Sequence, residues 1–373
     1  MKRVSLLIHT CPLRKHIQGL ATVLIIWFAI GSTVSGKTSL TLKLAYKIPN
    51  SEFIQGLPQF SRDGQKFLVF NHSGYDAESD KYEKDIYSIY QTLTGKLLYS
   101  LVLSSKNSNI LPAFSPDGNL LAIPGKDACT YKNLNKPPYL DITDDSLGYV
   151  SILELLSGKL KTELISKGLC NHGFMMFNPT GKILAVANQM WGYIKLWDAN
   201  KGIRLQTIKS NYNVLNTLNF SHNGKLLVFC DRGAFIWDIH AASIVRKLPS
   251  ETSCADYQPL FSLDDRFLIV SIHGIPVTLW EISKRRLIRN YQKNNSRGST
   301  NTSMSTDGSM IAINDYGGGM TIYKTDSGQV ILKNNPKIDM NSFYRLPGGV
   351  FTPINGLMLI WNEQNALQLW KIQ

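Results

Sequence analysis

At 373 residues, with 43% hydrophobic and 18% charged residues, the chain can hold one large domain or two average ones, and it fits neither a disordered tail nor a multi-span membrane protein. Forty Lys and Arg against 27 Asp and Glu give a net charge of +13, which favours acidic partners or surfaces in general and identifies none. Low charge, 28 glycines and 10% aromatics lean toward β structure, and five cysteines are too few for a disulfide scaffold.

The first element is a targeting segment. Residues 1–18 are basic and acid-free, and Gly19–Gly31 (GLATVLIIWFAIG) is an uncharged apolar run of 13 residues. A spanning helix needs ~20 apolar residues, whereas a signal peptide's core needs only ~7–15. Small residues follow, and Val34-Ser35-Gly36 satisfies a small-x-small cleavage pattern before Lys37. Residues 1–36 therefore read as a signal peptide and the product as exported, periplasmic or secreted. Left uncleaved, the segment is a signal anchor through residues 19–31, the route by which membrane association is expected. Gly31–Thr38 (GSTVSGKT) matches the phosphate-binding GxxxxGK[ST] pattern, but that motif acts between a buried strand and a helix. Here the alternation of Leu40, Leu42, Leu44, Tyr46 and Ile48 is that of a strand, so no nucleotide is expected.

From residue 37 to 373 the chain is one repeat array. A pentapeptide recurs as FSRDG (Phe60–Gly64), FSPDG (Phe114–Gly118), FNPTG (Phe177–Gly181), FSHNG (Phe220–Gly224), FSLDD (Phe261–Asp265) and MSTDG (Met304–Gly308), with a looser copy, FTPING, from Phe351. The lead residues are 54, 63, 43, 41, 43 and 47 apart. Each copy precedes a short apolar strand, and Asp-Gly or Asn-Gly supplies the positive φ angles of a tight hairpin. A second landmark follows each copy, from SIYQTLTG (Ser88–Gly95) to QLWKIQ (Gln368–Gln373), and reads as a third strand, a turn and a fourth strand. Four strands in each of seven repeats predict an all-β, seven-bladed propeller. The seventh repeat stops after its third strand, so the strand around Leu40–Ile48 is expected to complete it and remove an open edge.

With these residues on the page, LWD at Leu196–Asp198, IWD at Ile236–Asp238 and LWE at Leu279–Glu281, joined to the FSPDG-type turns, resemble the WD-repeat propellers over roughly residues 40–373. The family's Gly-His pair and its regular turn Asp are absent, so blades are expected to be held mostly by packing. The resemblance implies an architecture and leaves function to the site.

Spacings of 54 and 63 against ~40–45 for this repeat class place insertions in blades 1 and 2, roughly Asn71–Lys84 and Pro124–Gly148. Both are expected as long loops on the face of the blade-to-blade connections, where a protein or peptide would bind. Tyr75, Tyr82, Tyr131 and Tyr139 within them, with Trp191 and Trp361 on the same face, are the expected interface anchors. Asp76, Glu78 and Asp80 carry part of a calcium-loop spacing, but Lys81 replaces its Gly and no Glu closes it, so no metal is expected. His72, His172 and His273 are expected in solvated loops. Lys284, Arg285, Arg286, Arg289, Lys293 and Arg297 read as a charged hairpin edge of blade 5.

No GxSxG, HExxH or CxxC pattern occurs, so the expected function is that of a monomeric, cofactor-free interaction module that binds protein and no nucleic acid. The alternative is a propeller enzyme or ligand carrier, lactonase-like or quinone-dependent dehydrogenase-like, with its site at the channel mouth. Export leaves Cys129, Cys170, Cys230 and Cys254, which allow three disulfide pairings. Repeat register favours Cys129–Cys170 and Cys230–Cys254, because Cys170 and Cys254 each lie seven residues before a lead Phe.

Overall fold

A computed structural model describes residues 42–48, 58–76, 81–104, 112–124, 147–167, 172–188, 192–210, 217–230, 233–248, 258–272, 275–291, 299–315, 319–334, 348–361 and 367–372. The leader and the phosphate-loop match lie outside them. The first strand, β1 (Leu42–Ile48), stands alone in sequence. Blade 1 follows as β2 (Gln59–Phe60), β3 (Lys66–Asp76), β4 (Lys81–Gln91) and β5 (Leu97–Ser104). Blade 2 is β6 (Ala113–Phe114), β7 (Leu120–Pro124), β8 (Leu147–Glu154) and β9 (Leu160–Lys167), and blade 3 is β10 (His172–Phe177), β11 (Ile183–Asn188), β12 (Tyr193–Asp198) and β13 (Arg204–Lys209). Blade 4 is β14 (Leu218–Phe220), β15 (Leu226–Cys230), β16 (Ala234–Asp238) and β17 (Ser243–Leu248). Blade 5 is β18 (Gln258–Phe261), β19 (Phe267–Ile272), β20 (Ile275–Glu281) and β21 (Arg286–Asn290). Blade 6 is β22 (Ser299–Met304), β23 (Met310–Asp315), β24 (Met320–Lys324) and β25 (Val330–Asn334). Blade 7 has β26 (Gly348–Phe351), β27 (Leu357–Trp361) and β28 (Leu367–Ile372), and β1 is its fourth strand.

Seven four-stranded antiparallel sheets make a seven-bladed β-propeller. The closure follows the sequence expectation: β1 pairs with β28 from Leu42↔Ile372 to Ile48↔Leu367, with one bulge between Leu44 and Tyr46. First strands of successive blades lie against one another from blade 1 to blade 7, which places them around the axis and the fourth strands at the rim.

The recurring pentapeptide builds a wider turn than the expected tight hairpin. In blade 1 the Gly64 N–H donates to the Ser61 carbonyl at 2.9 Å, and the Ser61 N–H donates to Lys66 O at 2.9 Å, leaving four residues in the loop. Only the last residue of the pentapeptide has positive φ, 68° at Gly64 and 57° at Asp265. The Asp works through its side chain: the Ser61 hydroxyl donates to Asp63 Oδ1 at 2.7 Å and accepts from the Lys66 N–H at 3.0 Å. Ser115, Ser221, Ser262 and Ser305 repeat this bridge to Asp117, Asn223, Asp264 and Asp307. These serines are buried, so the bridge satisfies groups that water cannot reach.

The core is a circle of seven clusters rather than one centre, each joining two neighbouring blades. Leu68, Phe70 and Ile89 of blade 1 meet Phe114, Leu121 and Ile123 of blade 2, and Phe67 and Val69 meet Val350, Leu359 and Leu369 of blade 7. The other interfaces are built alike. At ~1.5–3 kcal/mol for each fully buried large aliphatic side chain, these interfaces hold the ring. Packing was the expected means, and polar ties add to it. The Asn314 side chain donates to Gly349 O at 2.8 Å and accepts the Gly349 N–H at 2.9 Å. Trp237 Nε1 donates to Gln206 Oε1 at 3.2 Å across blades 4 and 3. Tyr291, 2% exposed, donates to Thr325 O at 3.1 Å across blades 5 and 6, and burial pushes its hydroxyl up to about 12.

Candidate functional site

The expected partner face is the one where second strands end and third strands begin. In blade 1 that stretch is a ribbon rather than a loop. Among the described residues strand β3 runs 11, against five or six for the other second strands, and it pairs with β4 as far as Asp76↔Lys81. Strand β5 pairs with β4 as far as Ser104↔Lys84, the last of its described residues. In β3 three residues, Gly74 to Asp76, lie past the Ser73↔Lys84 pair, ~10 Å at the rise of a strand. The alternation of Tyr75, Tyr82, Tyr87 and Tyr90 with polar residues was the available signal for strands here.

Aromatic packing anchors the base of this ribbon. Phe70 stacks on its register partner Tyr87, with centroids 4.9 Å apart, and Phe67 stacks on Tyr90 at 5.3 Å. Tyr87 is buried, and burial together with the Asp85 carboxylate pushes its hydroxyl far above the usual tyrosine range. Such stacked pairs contribute ~0.5–1.5 kcal/mol beyond area burial. The projecting part therefore starts from a fixed base.

Tyr75 and Tyr82 are cross-strand register partners near the ribbon's end. Trp361 ends β27, in register with Gly348 and Leu367, so it belongs to the same face one blade away. Tyr131, Tyr139 and Trp191 lie outside the described residues. His72 and His172 stand in strands, β3 and the start of β10, and not in loops; His273 is outside the described residues. Asp76 is in β3, while Glu78 and Asp80 lie outside the described residues. Among the described residues no three His, Cys, Asp or Glu side chains gather as a metal would need.

Polar groups on first strands are engaged in ties between blades. Gln59 donates to Pro112 O and accepts the Phe114 N–H, the latter at 2.9 Å. Asn219 donates to Pro259 O at 3.2 Å, and the Ser303 hydroxyl accepts the Phe351 N–H at 3.0 Å. Gln59, Asn219 and Ser303 each stand one residue before the lead residue of their repeat, a shared polar position that could have marked them; sequence reading missed it because the side-chain type differs in each blade.

Two further readings have a definite place. Cys230 ends β15, is fully buried and is not a free thiol; Cys129, Cys170 and Cys254 lie outside the described residues. The basic stretch of blade 5 is largely engaged: Lys284 and Arg286 sit on Glu281 at 2.9 and 3.1 Å, and Arg289 donates to Asp326 O at 2.6 Å; Lys293 and Arg297 lie outside the described residues. The hydrogen bond and charge of Lys284, then those of Arg286, hold the Glu281 carboxyl below its usual range. Among the described residues no helix is long and apolar enough to cross a membrane. No protein-family model and no curated protein matches this chain.

Proposed function

We propose that this protein is an exported, non-enzymatic propeller of the WD-repeat type that binds a protein or peptide through the face carried by blades 1 and 2. The observation that carries the reading is the β3–β4 ribbon, two 11-residue strands paired to Asp76↔Lys81 on an aromatic base, where the other second strands are described over five or six residues. The tyrosines at its register positions suit aromatic anchoring of a peptide. Engagement of Gln59, Asn219 and Ser303 between blades supports the non-enzymatic reading over a channel-mouth enzyme.

The test replaces Ser73–Lys84 and residues 125–146 with two-residue turns. Affinity capture with mass spectrometry from the source cell's envelope or medium should lose the partner seen with the intact chain. Melting should shift by no more than about 3 °C, the size of a ~1 kcal/mol surface change. Equal capture by the shortened protein sinks the proposal.

Export gives the cysteines an oxidising compartment, and a Cys230–Cys254 bridge belongs to the same proposal. Cys230 is in register with Ala234 and, through it, Leu248, after which the chain runs toward residue 254. A non-reducing peptide map showing Cys254 alkylated would reject this pairing.

A further inference from the structure

The seven rim strands β1, β5, β9, β13, β17, β21 and β25 contain eleven Lys or Arg and a single acid, Glu163. The same strands and their turns expose large aliphatic side chains: Leu160 is 56% exposed, Ile203 52%, Leu205 47% and Ile244 50%, and Leu156 in the turn before β9 reaches 74%. These residues form one surface over blades 2 to 4. The turn at Gly202 lies on β9, where an added Cβ would meet Thr162 Oγ1 at 2.9 Å, and Arg204 reaches Ser166 Oγ at 3.5 Å. Gln206 of β13 donates in turn to Ile239 O in blade 4.

Edge protection accounts for scattered charge on outer strands. It explains neither a single sign nor aliphatic residues interleaved with the cations. Unlike Lys284 and Arg286 in blade 5, Lys161 enters no ion pair among the described residues, and Lys201 makes no direct salt bridge, although its charge acts on the nearby Asp198 carboxylate. Among the described residues the exposed large hydrophobics are all Leu, Ile or Val, whereas single-stranded nucleic acid is bound on aromatic stacking platforms. Cations interleaved with aliphatics fit the boundary between anionic headgroups and acyl chains.

We propose that the rim of blades 2 to 4 docks on an anionic lipid bilayer surface, independently of the partner face. Each Lys or Arg near such a surface contributes roughly fivefold in affinity. The insertion of Leu160 and Ile203 among the headgroups adds an apolar component that salt does not screen.

The test is flotation of the full chain with phosphatidylcholine vesicles, with and without about 30 mol % phosphatidylglycerol. Binding should be on the order of tenfold tighter to the anionic vesicles and should weaken with added salt. The double variant Lys161→Glu, Lys201→Glu should lose about tenfold or more. A control, Lys182→Glu with Lys225→Glu, makes the same change of net charge on the inner hairpins and should stay within about twofold. Leu160→Ser with Ile203→Ser should weaken anionic-vesicle binding while leaving its salt dependence unchanged. All these side chains are exposed apart from partial contacts, and wild-type melting confirms that each variant is folded. Equal binding to both vesicles, equal loss in rim and control variants, or binding only to soluble polyglutamate overturns the proposal. So does undiminished binding of the rim variant, which would put the contact at the apolar run 19–31.

Discussion

Single side chains settle the turns. The Ser305 hydroxyl donates to Asp307 at 2.6 Å and accepts the Met310 N–H at 2.9 Å, while Asp307 also accepts from the Ser309 N–H at 3.0 Å. The Ser305 hydroxyl first, then Ser309, outweigh desolvation and hold the Asp307 carboxyl below its usual range. Asp117 and Asp264 are depressed too, although burial acts against the hydrogen bonds there. A carboxylate with a depressed folded pKa stabilises the fold above its unfolded value, near ~3.9, and that contribution is lost as pH falls through the folded value. Stability should thus hold through neutral pH and drop in acid. Ser305→Ala should cost about 1 kcal/mol at pH 7, with the gap to wild type shrinking in acid. A gap that stays constant with pH in thermal melts would contradict this. In the outer turns, Ala242 and Arg285 take positive φ, 50° and 52°, where Gly95, Gly158, Gly202 and Gly328 stand in other blades. The left-handed backbone costs a side chain ~1–2 kcal/mol and glycine's extra entropy returns ~0.5–1, so Ala242→Gly and Arg285→Gly should each stabilise by about 0.5–1 kcal/mol. Unchanged or lower melting temperatures would show that the strain is absent.

Between elements, packing and polar ties divide the work. Hydrophobic clusters join every pair of neighbouring blades, but they do not fix the register of one sheet against the next. The Asn314 amide does so for blades 6 and 7, because it satisfies both the N–H and the carbonyl of Gly349 in a buried setting. Asn314→Ala leaves two backbone groups buried and unpaired, for a cost of about 2–4 kcal/mol. Chemical denaturation should show the midpoint falling with the slope unchanged; a loss under about 1 kcal/mol would mean that water or another group takes over. The β3–β4 ribbon belongs to this scale as well. Its sequence reads as an inserted loop, and only the cross-strand register shows a paired ribbon instead.

For the whole ring, closure is the controlling feature. Strand β1 comes from the start of the described chain and pairs with the last strand, so it covers the edge of β28. Deleting residues 42–48 would expose LQLWKI, an apolar edge suited to pairing with other chains. The truncated protein should melt more than about 10 °C lower, which is several kcal/mol for a domain of this size, and should aggregate on size-exclusion chromatography. A monomer of unchanged melting temperature would show that three strands suffice in blade 7.

Repeat number, strand order within a blade, the position of each turn and the closing strand were legible in the sequence, because each is written within a few consecutive residues; the turn's Ser–Asp bridge and its greater width were not. Ser61 and Asp63, or Ser305 and Asp307, are two positions apart, and alternation marks the strands beside them. The blade interfaces were not legible. Gln206 and Trp237 are 31 residues apart, and Asn314 and Gly349 are 35 apart. Gln59, Asn219 and Ser303 do share one repeat position, just before the lead residue, and tie to the next blade's first strand, but the side chain there differs from blade to blade and only the assembled ring shows what it meets. The rim surface likewise arises only when residues from β9, the Gly202 turn and β13 are brought side by side. Local turn chemistry thus determines how many blades form, whereas the neighbours that closing the ring supplies decide how they lock and which residues share a surface.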